Sequence, residues 1–226
     1  MAIFAISTAG DEKWLFNKST FSIESVHMST KRPAKPEKLS PGKSSLLLLD
    51  VITNFDFEDG GELLKRTLQI APKLSRLTQR AREARVPVIY VNDNFGKWQE
   101  DFKTMADHFM DPTSKGHKVV GLLRPHPDDY YVLKPHRSGF YSTTLELLLR
   151  ELKAETLVIA GITTDICVLF TANDAYMRGF DLFIPSDCVA AVKPAHTSNT
   201  LDFMKRVLKA DIRKSSDISF GRKSRR

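Results

Sequence analysis

Three residues of this 226-residue chain have side chains that together could perform a nucleophilic reaction: a carboxylate at Asp50, an ammonium at Lys134 and a thiol at Cys167. A free thiol with a pKa of about 8.5 is a weak nucleophile at neutral pH and needs help from neighbouring groups. A carboxylate can take the thiol proton, and an ammonium favours the thiolate. The set therefore predicts attack by sulfur on an electrophilic carbon.

Each of these residues, taken alone, also has a purely structural interpretation. Asp50 directly follows four leucines, where a carboxylate either caps loop amides or serves as a base or metal ligand. Lys134 is compatible with a solvated strand end, and lone cysteines are usually small buried hydrophobes. The second cysteine, Cys188 in SDCVAAV, has no activating partner nearby in the sequence and is interpreted as structural.

Apolar runs and helical spacing predict the elements that must position these residues. Strands are predicted at SLLLLDV, Val86–Asn92, Asp129–Lys134, Thr156–Gly161, Phe180–Pro185 and, as a short last strand, Ala210–Arg213. Helices are predicted at Pro72–Arg85, Trp98–Phe109, Thr143–Leu152, Cys167–Met177 and Pro194–Val207. Strands alternating with helices indicate an α/β protein whose parallel sheet is covered on both faces. Sites in such sheets lie at the carboxyl ends of the strands, where the three reactive residues fall.

The segment GITTDICVLF runs from a predicted strand through a tight turn into a predicted helix. Either Thr164 or Asp165 could cap that helix. Cys167 would then lie in the first turn, where the positive end of the helix dipole stabilises a thiolate. Backbone amides of the same turn are suited to receive a developing oxyanion.

The net charge of +7 is concentrated at the chain ends: residues 1–43 contribute +3 and residues 205–226 contribute +7, which leaves −3 for the remainder. Residues 1–43, which include the segment STKRPAKPEKLSPGK, are expected to be a flexible N-terminal extension. Residues 44–214 are expected to form one α/β domain, followed by a basic disordered tail at 215–226. A nucleic-acid enzyme usually carries its basic face on the folded body, so no specific nucleic-acid partner is expected.

Cysteine and histidine spacing argues against a metal site of the usual kinds. The two cysteines form no CxxC pair, and the six histidines show no HxH or HExxH spacing. The N-terminus lacks a signal-peptide pattern, and no apolar run approaches the ~20 residues that span a bilayer. We therefore expect no membrane partner, and a reducing cytoplasm as the location.

Five segments together resemble the isochorismatase-like cysteine hydrolase superfamily, which includes nicotinamidases, N-carbamoylsarcosine amidases, ureidoacrylate and biuret hydrolases, and isochorismatases. The segments are LLLLDVITNF, VPVIYVND, VLKPHRSGFYSTTLELLL, LVIAGITTDICVLFTANDAYMRGF and IPSDCVAA. The resemblance covers about residues 44–214, and the block around GITTDICV is the most specific. It implies a three-layer α/β/α fold with a mostly parallel, six-stranded, Rossmann-like sheet, assembled as a dimer or tetramer.

The resemblance also implies roles for individual residues. It assigns a catalytic triad to Asp50, Lys134 and Cys167. It places a cis peptide bond between Ile162 and Thr163, which would direct the Thr163 amide, together with that of Cys167, at the oxyanion. No cofactor is expected.

One loop departs from the pattern of nicotinamidases, which bind a divalent metal through an Asp-x-His pair after the second strand and a further His. Here the loop reads VNDNFGKW, so Asp93 is present but Phe95 stands where the His should be. The sequence therefore predicts no metal and moves the interpretation away from nicotinamide. Asn92 from this loop is a candidate substrate-binding residue. Three aromatic residues are predicted to line a wall for a small planar amide, although each is equally compatible with plain packing: Phe55, Trp98 and Phe140.

The leading hypothesis is a hydrolase that releases ammonia or an amine from a small amide, ureido or carbamoyl compound through a cysteine thioester. One alternative is an isochorismatase-type vinyl ether hydrolase, although such enzymes do not depend on the cysteine. A second alternative is a thiol sensor or interaction protein with the same fold, which only the basic chain ends support.

Overall fold

A computed structural model of the protein describes residues 38–99 and 101–221. All of these residues belong to one of the two units into which the chain divides, Lys35–Arg226. None of the helices in this described part combines the length and apolarity that a bilayer crossing requires.

Strands and helices alternate along the described chain. The strands are β1 (Lys38–Leu39), β2 (Ser44–Leu49), β3 (Val88–Asp93), β4 (Tyr130–Lys134), β5 (Thr156–Ile162), β6 (Asp181–Phe183), β7 (Val189–Ala190) and β8 (Ser219–Phe220). The α-helices are α1 (Gly60–Glu83), α2 (Phe102–Phe109), α3 (His117–Leu122), α4 (Leu145–Glu151), α5 (Leu169–Met177) and α6 (Pro194–Val207). A π-helical turn at Thr164–Val168 connects β5 to α5, and a 3₁₀ turn occupies Ser215–Asp217.

The main sheet is parallel and has the strand order β4-β3-β2-β5-β6, with β7 pairing alongside the end of β5. This arrangement confirms the predicted six-stranded parallel sheet in a three-layer α/β/α fold. The sixth strand is not the one predicted. Within Ala210–Arg213 only Asp211 bridges to Phe183, whereas Val189–Ala190 pairs with β5.

The leucine run of β2 explains why both faces of the sheet are covered. Leu46 and Leu48 point into one core with α1, while Leu47 and Leu49 point into the other core with α4, α5 and α6. All four leucines are fully buried. A continuous apolar run is the pattern of a strand that packs on both faces, because successive side chains alternate between them.

Helix α1 begins twelve residues before the predicted Pro72 start and contains that proline in its interior. A proline inside a helix costs about 3 kcal/mol, which is why it favours a helix start. The helix nevertheless continues through it because Leu63, Ala71 and Leu74 form one buried stripe against the sheet. Burying each large side chain contributes about 1.5–3 kcal/mol, so the stripe outweighs the proline.

The folded unit extends beyond the predicted boundaries of 44 and 214. Lys38–Leu39 pairs in parallel with Ser219–Phe220, which joins the two segments that were expected to be flexible. Leu39 and Ile218 are buried in the core on the α1 side. The remaining parts of the predicted extension and tail lie outside the described residues.

Candidate active site

The crevice between β2 and β5 is where the chain reverses its winding direction. From β2 the chain proceeds through α1 to β3 on one side, and from β5 it proceeds through α5 to β6 on the other. Loops therefore diverge at the carboxyl ends of these two central strands, which leaves space for a ligand. Asp50 follows β2 and Cys167 follows β5, so both lie at this position.

Asp50 is held by backbone and side-chain contacts on the neighbouring strands. Its backbone has a φ of 51°, a left-handed conformation that Asp tolerates better than most residues. The Asp50 amide donates to the Val91 carbonyl over 3.1 Å, and its Oδ1 accepts from the Asp93 amide over 2.7 Å. Its Oδ2 lies 3.0 Å from Nζ of Lys134. The carboxylate is thus fixed in place.

Lys134 ends the edge strand β4, but its side chain is 0% exposed. Its Nζ lies 3.0 Å from the Asp50 carboxylate and 3.6 Å from Sγ of Cys167. Oδ2 of Asp93 lies 3.5 Å from the same ammonium. This burial excludes the solvated strand end that Lys134 alone had suggested, because the ammonium lies among Asp50, Asp93 and Cys167.

Cys167 lies in the π-helical turn and is only 8% exposed. The Thr163 carbonyl accepts from the amides of Ile166 and Val168, which closes the turn around the cysteine. Neither predicted cap forms: Asp165 instead lies 2.9 Å from Nδ1 of His196, at the start of α6. The structure therefore brings Asp50, Lys134 and Cys167 together in one cluster.

Burial controls the ionisation of this cluster. Loss of solvent raises the pKa of Asp50, against the opposing effect of Lys134. Burial acts to lower the pKa of Lys134, but Asp50, Cys167 and Asp93 together raise it above its ordinary value. Burial, followed by the nearby Asp50 carboxylate, raises the pKa of Cys167 to about 12. The resting group is a thiol, unlike the dipole-stabilised thiolate that the sequence suggested.

The peptide bond between Ile162 and Thr163 is cis, at the position that the family resemblance implied. Directly before it, Gly161 has a φ of 118°, and a Cβ there would lie 2.2 Å from the Leu49 carbonyl oxygen. Only glycine permits this approach of β5 to the end of β2. The Thr163 hydroxyl is buried and has no hydrogen-bond partner within the described residues.

The four predicted substrate-binding residues lie in different surroundings in the structure. Asn92 is buried, and its amide group accepts from the Ile52 amide and donates to the Ile52 carbonyl, so it anchors the loop after β2. Phe140 is buried in the core on the α5 side, beneath the Arg178 guanidinium at 4.7 Å. These side chains are thus engaged in backbone contacts and in packing, and their role in substrate binding stays a prediction.

The other two aromatic residues, Phe55 and Trp98, differ in their burial. Phe55 is buried in the core on the α1 side and has its ring centroid 6.4 Å from that of Phe57. Trp98 is 78% exposed. One aromatic is thus a core residue and the other a surface residue, so the plain-packing interpretation applies to Phe55.

The loop after β3 does not fit a metal ion. The Phe95 ring packs edge-on against Phe109, at 5.9 Å between ring centroids, and offers no ligand atom. Asp93 Oδ1 accepts from the Phe95 amide over 2.7 Å, and its Oδ2 faces the Lys134 ammonium. Among the described residues, no group of three or more His, Cys, Asp or Glu side chains could hold a metal.

A polar network that the sequence analysis missed joins the loop after Lys134 to α5. Ser138 donates to Asp174 over 2.5 Å, and Asp174 also accepts from Arg178 over 2.8 Å. Thr171 on the same helix accepts from the Gly139 amide over 2.9 Å. The i,i+4 spacing of Asp174 and Arg178 was visible in the sequence, but their contact with Ser138 was not. The network ties the Lys134 loop to the helix that follows Cys167.

Comparison with known proteins agrees with this fold. The Isochorismatase domain model matches residues 44–212. The chain is 39% identical to an uncharacterized isochorismatase family protein, YaaI, of Bacillus subtilis (strain 168), over 80% of this chain and 98% of that protein. It is 31% identical to a probable inactive nicotinamidase of Arabidopsis thaliana, over 73% of this chain and 89% of that protein.

Among solved structures, N-carbamoylsarcosine amidase from Thermoplasma acidophilum superimposes with a TM-score of 0.58 and 29% sequence identity. The match covers 76% of this chain and 96% of that one. The chain therefore belongs to the isochorismatase family. Its relatives include a ureidoacrylate amidohydrolase of Methylobacterium radiotolerans, 28% identical over 72% of this chain and 73% of that protein.

Proposed function

We propose that the protein cleaves a C–N bond of a small amide, ureido or carbamoyl compound through a thioester on Cys167. The observation that carries this proposal is the fully buried Lys134 ammonium, 3.0 Å from the Asp50 carboxylate and 3.6 Å from Cys167 Sγ. Burying an ammonium is costly unless anions compensate it, and clusters of this kind concentrate at functional sites. Similarity to an N-carbamoylsarcosine amidase supports the bond type.

In the acylation step, Asp50 takes the thiol proton as Sγ of Cys167 forms a bond to the substrate carbonyl carbon. The carbonyl electron pair moves to oxygen, where the amides of Thr163 and Cys167 stabilise the negative charge. Collapse of this intermediate breaks the C–N bond, and the amine leaves with the proton from Asp50. Lys134 stays charged throughout and orients the carboxylate.

In the deacylation step, Asp50 takes a proton from water as the water oxygen attacks the thioester carbon. The C–S bond breaks, the acid departs, and the sulfur regains the proton from Asp50. A resting thiol suits this cycle, because a cysteine with a pKa of about 12 needs a base in contact with it.

The same ionisation state speaks against the thiol-sensor alternative. Sensor cysteines react because their pKa is lowered and the thiolate is accessible. Cys167 is buried, and its pKa is raised to about 12. Vinyl ether hydrolysis of the isochorismatase type does not depend on the cysteine. That reaction would therefore leave the contacts of Cys167 with Asp50 and Lys134 without a catalytic role.

A panel of small amides, ureas and carbamoyl compounds, assayed for ammonia or amine release, tests the proposal. Cys167→Ala is expected to lower turnover by at least about 1,000-fold, because it removes the attacking atom. Cys188→Ala is the matched control, since Cys188 is also buried and its pKa is also raised to about 12. Acid-quenched wild-type enzyme is expected to show the mass of the acyl group on Cys167.

Turnover retained by folded Cys167→Ala would contradict the covalent mechanism. Isochorismate serves as a separate arm of the same experiment. Its hydrolysis by both the wild type and Cys167→Ala would favour the vinyl ether reaction instead.

A further inference from the structure

Asp93 is a second carboxylate on Lys134, and the proposed reaction does not use it. It is the last residue of β3 and lies directly opposite Lys134 in the register of β3 with β4. Its Oδ2 is 3.5 Å from the Lys134 ammonium, and its backbone amide donates to Oδ1 of Asp50 over 2.7 Å. Asp93 thus contacts both partners that surround the Cys167 thiol.

Metal binding does not explain the position of the Asp93 carboxylate. Both of its oxygens already face donors, the Phe95 amide and the Lys134 ammonium. A dication bound to Asp93 would be repelled by the buried ammonium, since charges a few ångströms apart interact strongly where water is excluded. Phe95 supplies no ligand atom and packs on Phe109.

We infer that Asp93 is a positioning residue that replaces a metal site and holds the Lys134 ammonium between Asp50 and Cys167. Three groups face this ammonium: Asp50 after β2, Asp93 at the end of β3, and Cys167 in the π-helical turn. Asp93 draws the ammonium away from the sulfur, so that Asp50 remains the group that accepts the thiol proton. The inference deepens the proposed function, on which its catalytic meaning rests.

The Asp93→Asn substitution separates the effect of the negative charge of Asp93 from the effect of its hydrogen bond. An asparagine oxygen can still accept from the Phe95 amide, so the turn after β3 is kept while one negative charge disappears. The Lys134 ammonium then has one carboxylate fewer to neutralise it, and more of its field acts on the sulfur. A stronger positive field favours the thiolate of Cys167.

The rate of alkylation by iodoacetamide, measured against pH, reports this change without any substrate. All variants carry Cys188→Ala, so that Cys167 is the only thiol in the chain. Asp93→Asn is expected to shift the profile down by about one pH unit, which is about tenfold faster alkylation at a given pH below the midpoint. Asp56→Asn is the matched control, because that exposed carboxylate pairs with Lys115 and not with Lys134.

Asp93→Glu keeps the charge and is expected to keep the wild-type profile. An unchanged profile in folded Asp93→Asn would overturn the inference, because a purely structural role would alter the melting temperature alone.

A second measurement needs no variant: Zn²⁺ or Mn²⁺ is expected to leave the melting temperature of the EDTA-treated wild type unchanged. A metal-induced rise in the melting temperature that EDTA reverses would also overturn the inference about Asp93. Neither measurement requires turnover, so failure of the substrate panel is a separate result.

Discussion

Lys134 shows most clearly how a residue acquires its role from its surroundings. In the sequence it is one lysine after an apolar run, and solvation at a strand end was a reasonable interpretation. In the structure its ammonium is enclosed by two carboxylates and a thiol. Removing water makes each of these charges dependent on the others, because a buried charge is tolerated only when it is paired.

The pH dependence of turnover follows from these paired groups. Asp50 must be ionised to accept the thiol proton, so kcat/KM is expected to fall as the pH drops through its raised pKa. The midpoint of this acidic limb should lie above the ordinary value of 3.8. No alkaline loss is expected below about pH 10, since the pKa of Lys134 is raised above 10.5.

A profile of kcat/KM from pH 4 to 10, with a substrate from the panel, checks this expectation. The control is the melting temperature over the same range, which separates titration from unfolding. Activity that climbs tenfold per pH unit toward the Cys167 pKa of about 12 would mean that a free thiolate attacks without Asp50.

At the scale of elements, the site depends on how closely β5 approaches β2. The two strands pair in parallel from Ser44 with Thr156 to Leu49 with Gly161. At that last pair the backbone of Gly161 lies against the Leu49 carbonyl. Leu49 directly precedes Asp50, and Gly161 is two residues before Thr163. Gly161 therefore sets the distance between Asp50 and the turn that carries Cys167.

Gly161→Ala is expected to lower the free energy of unfolding by about 3 kcal/mol, because the new methyl group would meet the Leu49 backbone. Gly179→Ala is the matched control: its φ of 84° is also positive, but a Cβ there has no neighbour within 4 Å. It is expected to cost only the conformational strain, about 1–2 kcal/mol. Urea denaturation of both variants measures the difference, and equal losses would show that the close approach is unimportant.

At the scale of the whole molecule, the two ends of the described chain close one side of the fold. β1 and β8 pair with each other, and Arg80 of α1 donates to the carbonyls of Ser215 and Ile218. Asp187 accepts from the Ser215 amide over 2.7 Å. The segment after residue 214 is thus part of the structure as far as Gly221. Self-association of the chain, which the family resemblance implies, stays a prediction.

Truncation distinguishes this described segment from the residues that follow it. A chain ending at Lys214 loses the buried Ile218, and the free energy of unfolding is expected to fall by at least about 1.5–3 kcal/mol. A chain ending at Gly221 keeps the β1–β8 pair and the buried Ile218, and is expected to unfold like the full chain. Thermal and urea unfolding of both truncations check this, and equal stability of the two would contradict a structural role for β8.

Much of the fold was readable from local patterns. The leucine run of β2 and the strand–turn–helix around Cys167 are determined by neighbouring residues, so continuous apolar runs and helical spacing locate them. Helix Pro194–Val207 was predicted at its observed bounds. The α1 start, the sixth strand and the β1–β8 pair were missed, because each depends on burial against residues distant in sequence.

The sequence by itself determined which reactive groups are present and at which end of the sheet they lie. Parallel strands fix that much, because their carboxyl ends share one edge. Only the tertiary structure decided the burial, the neighbours and the ionisation of these groups. It buried Lys134, placed Asp93 beside it, and raised the pKa of Cys167 to about 12. It also engaged Asn92 in hydrogen bonds to the Ile52 backbone and Phe140 in core packing. The physical reason is that desolvation and pairing depend on neighbours in space, which a linear pattern does not contain.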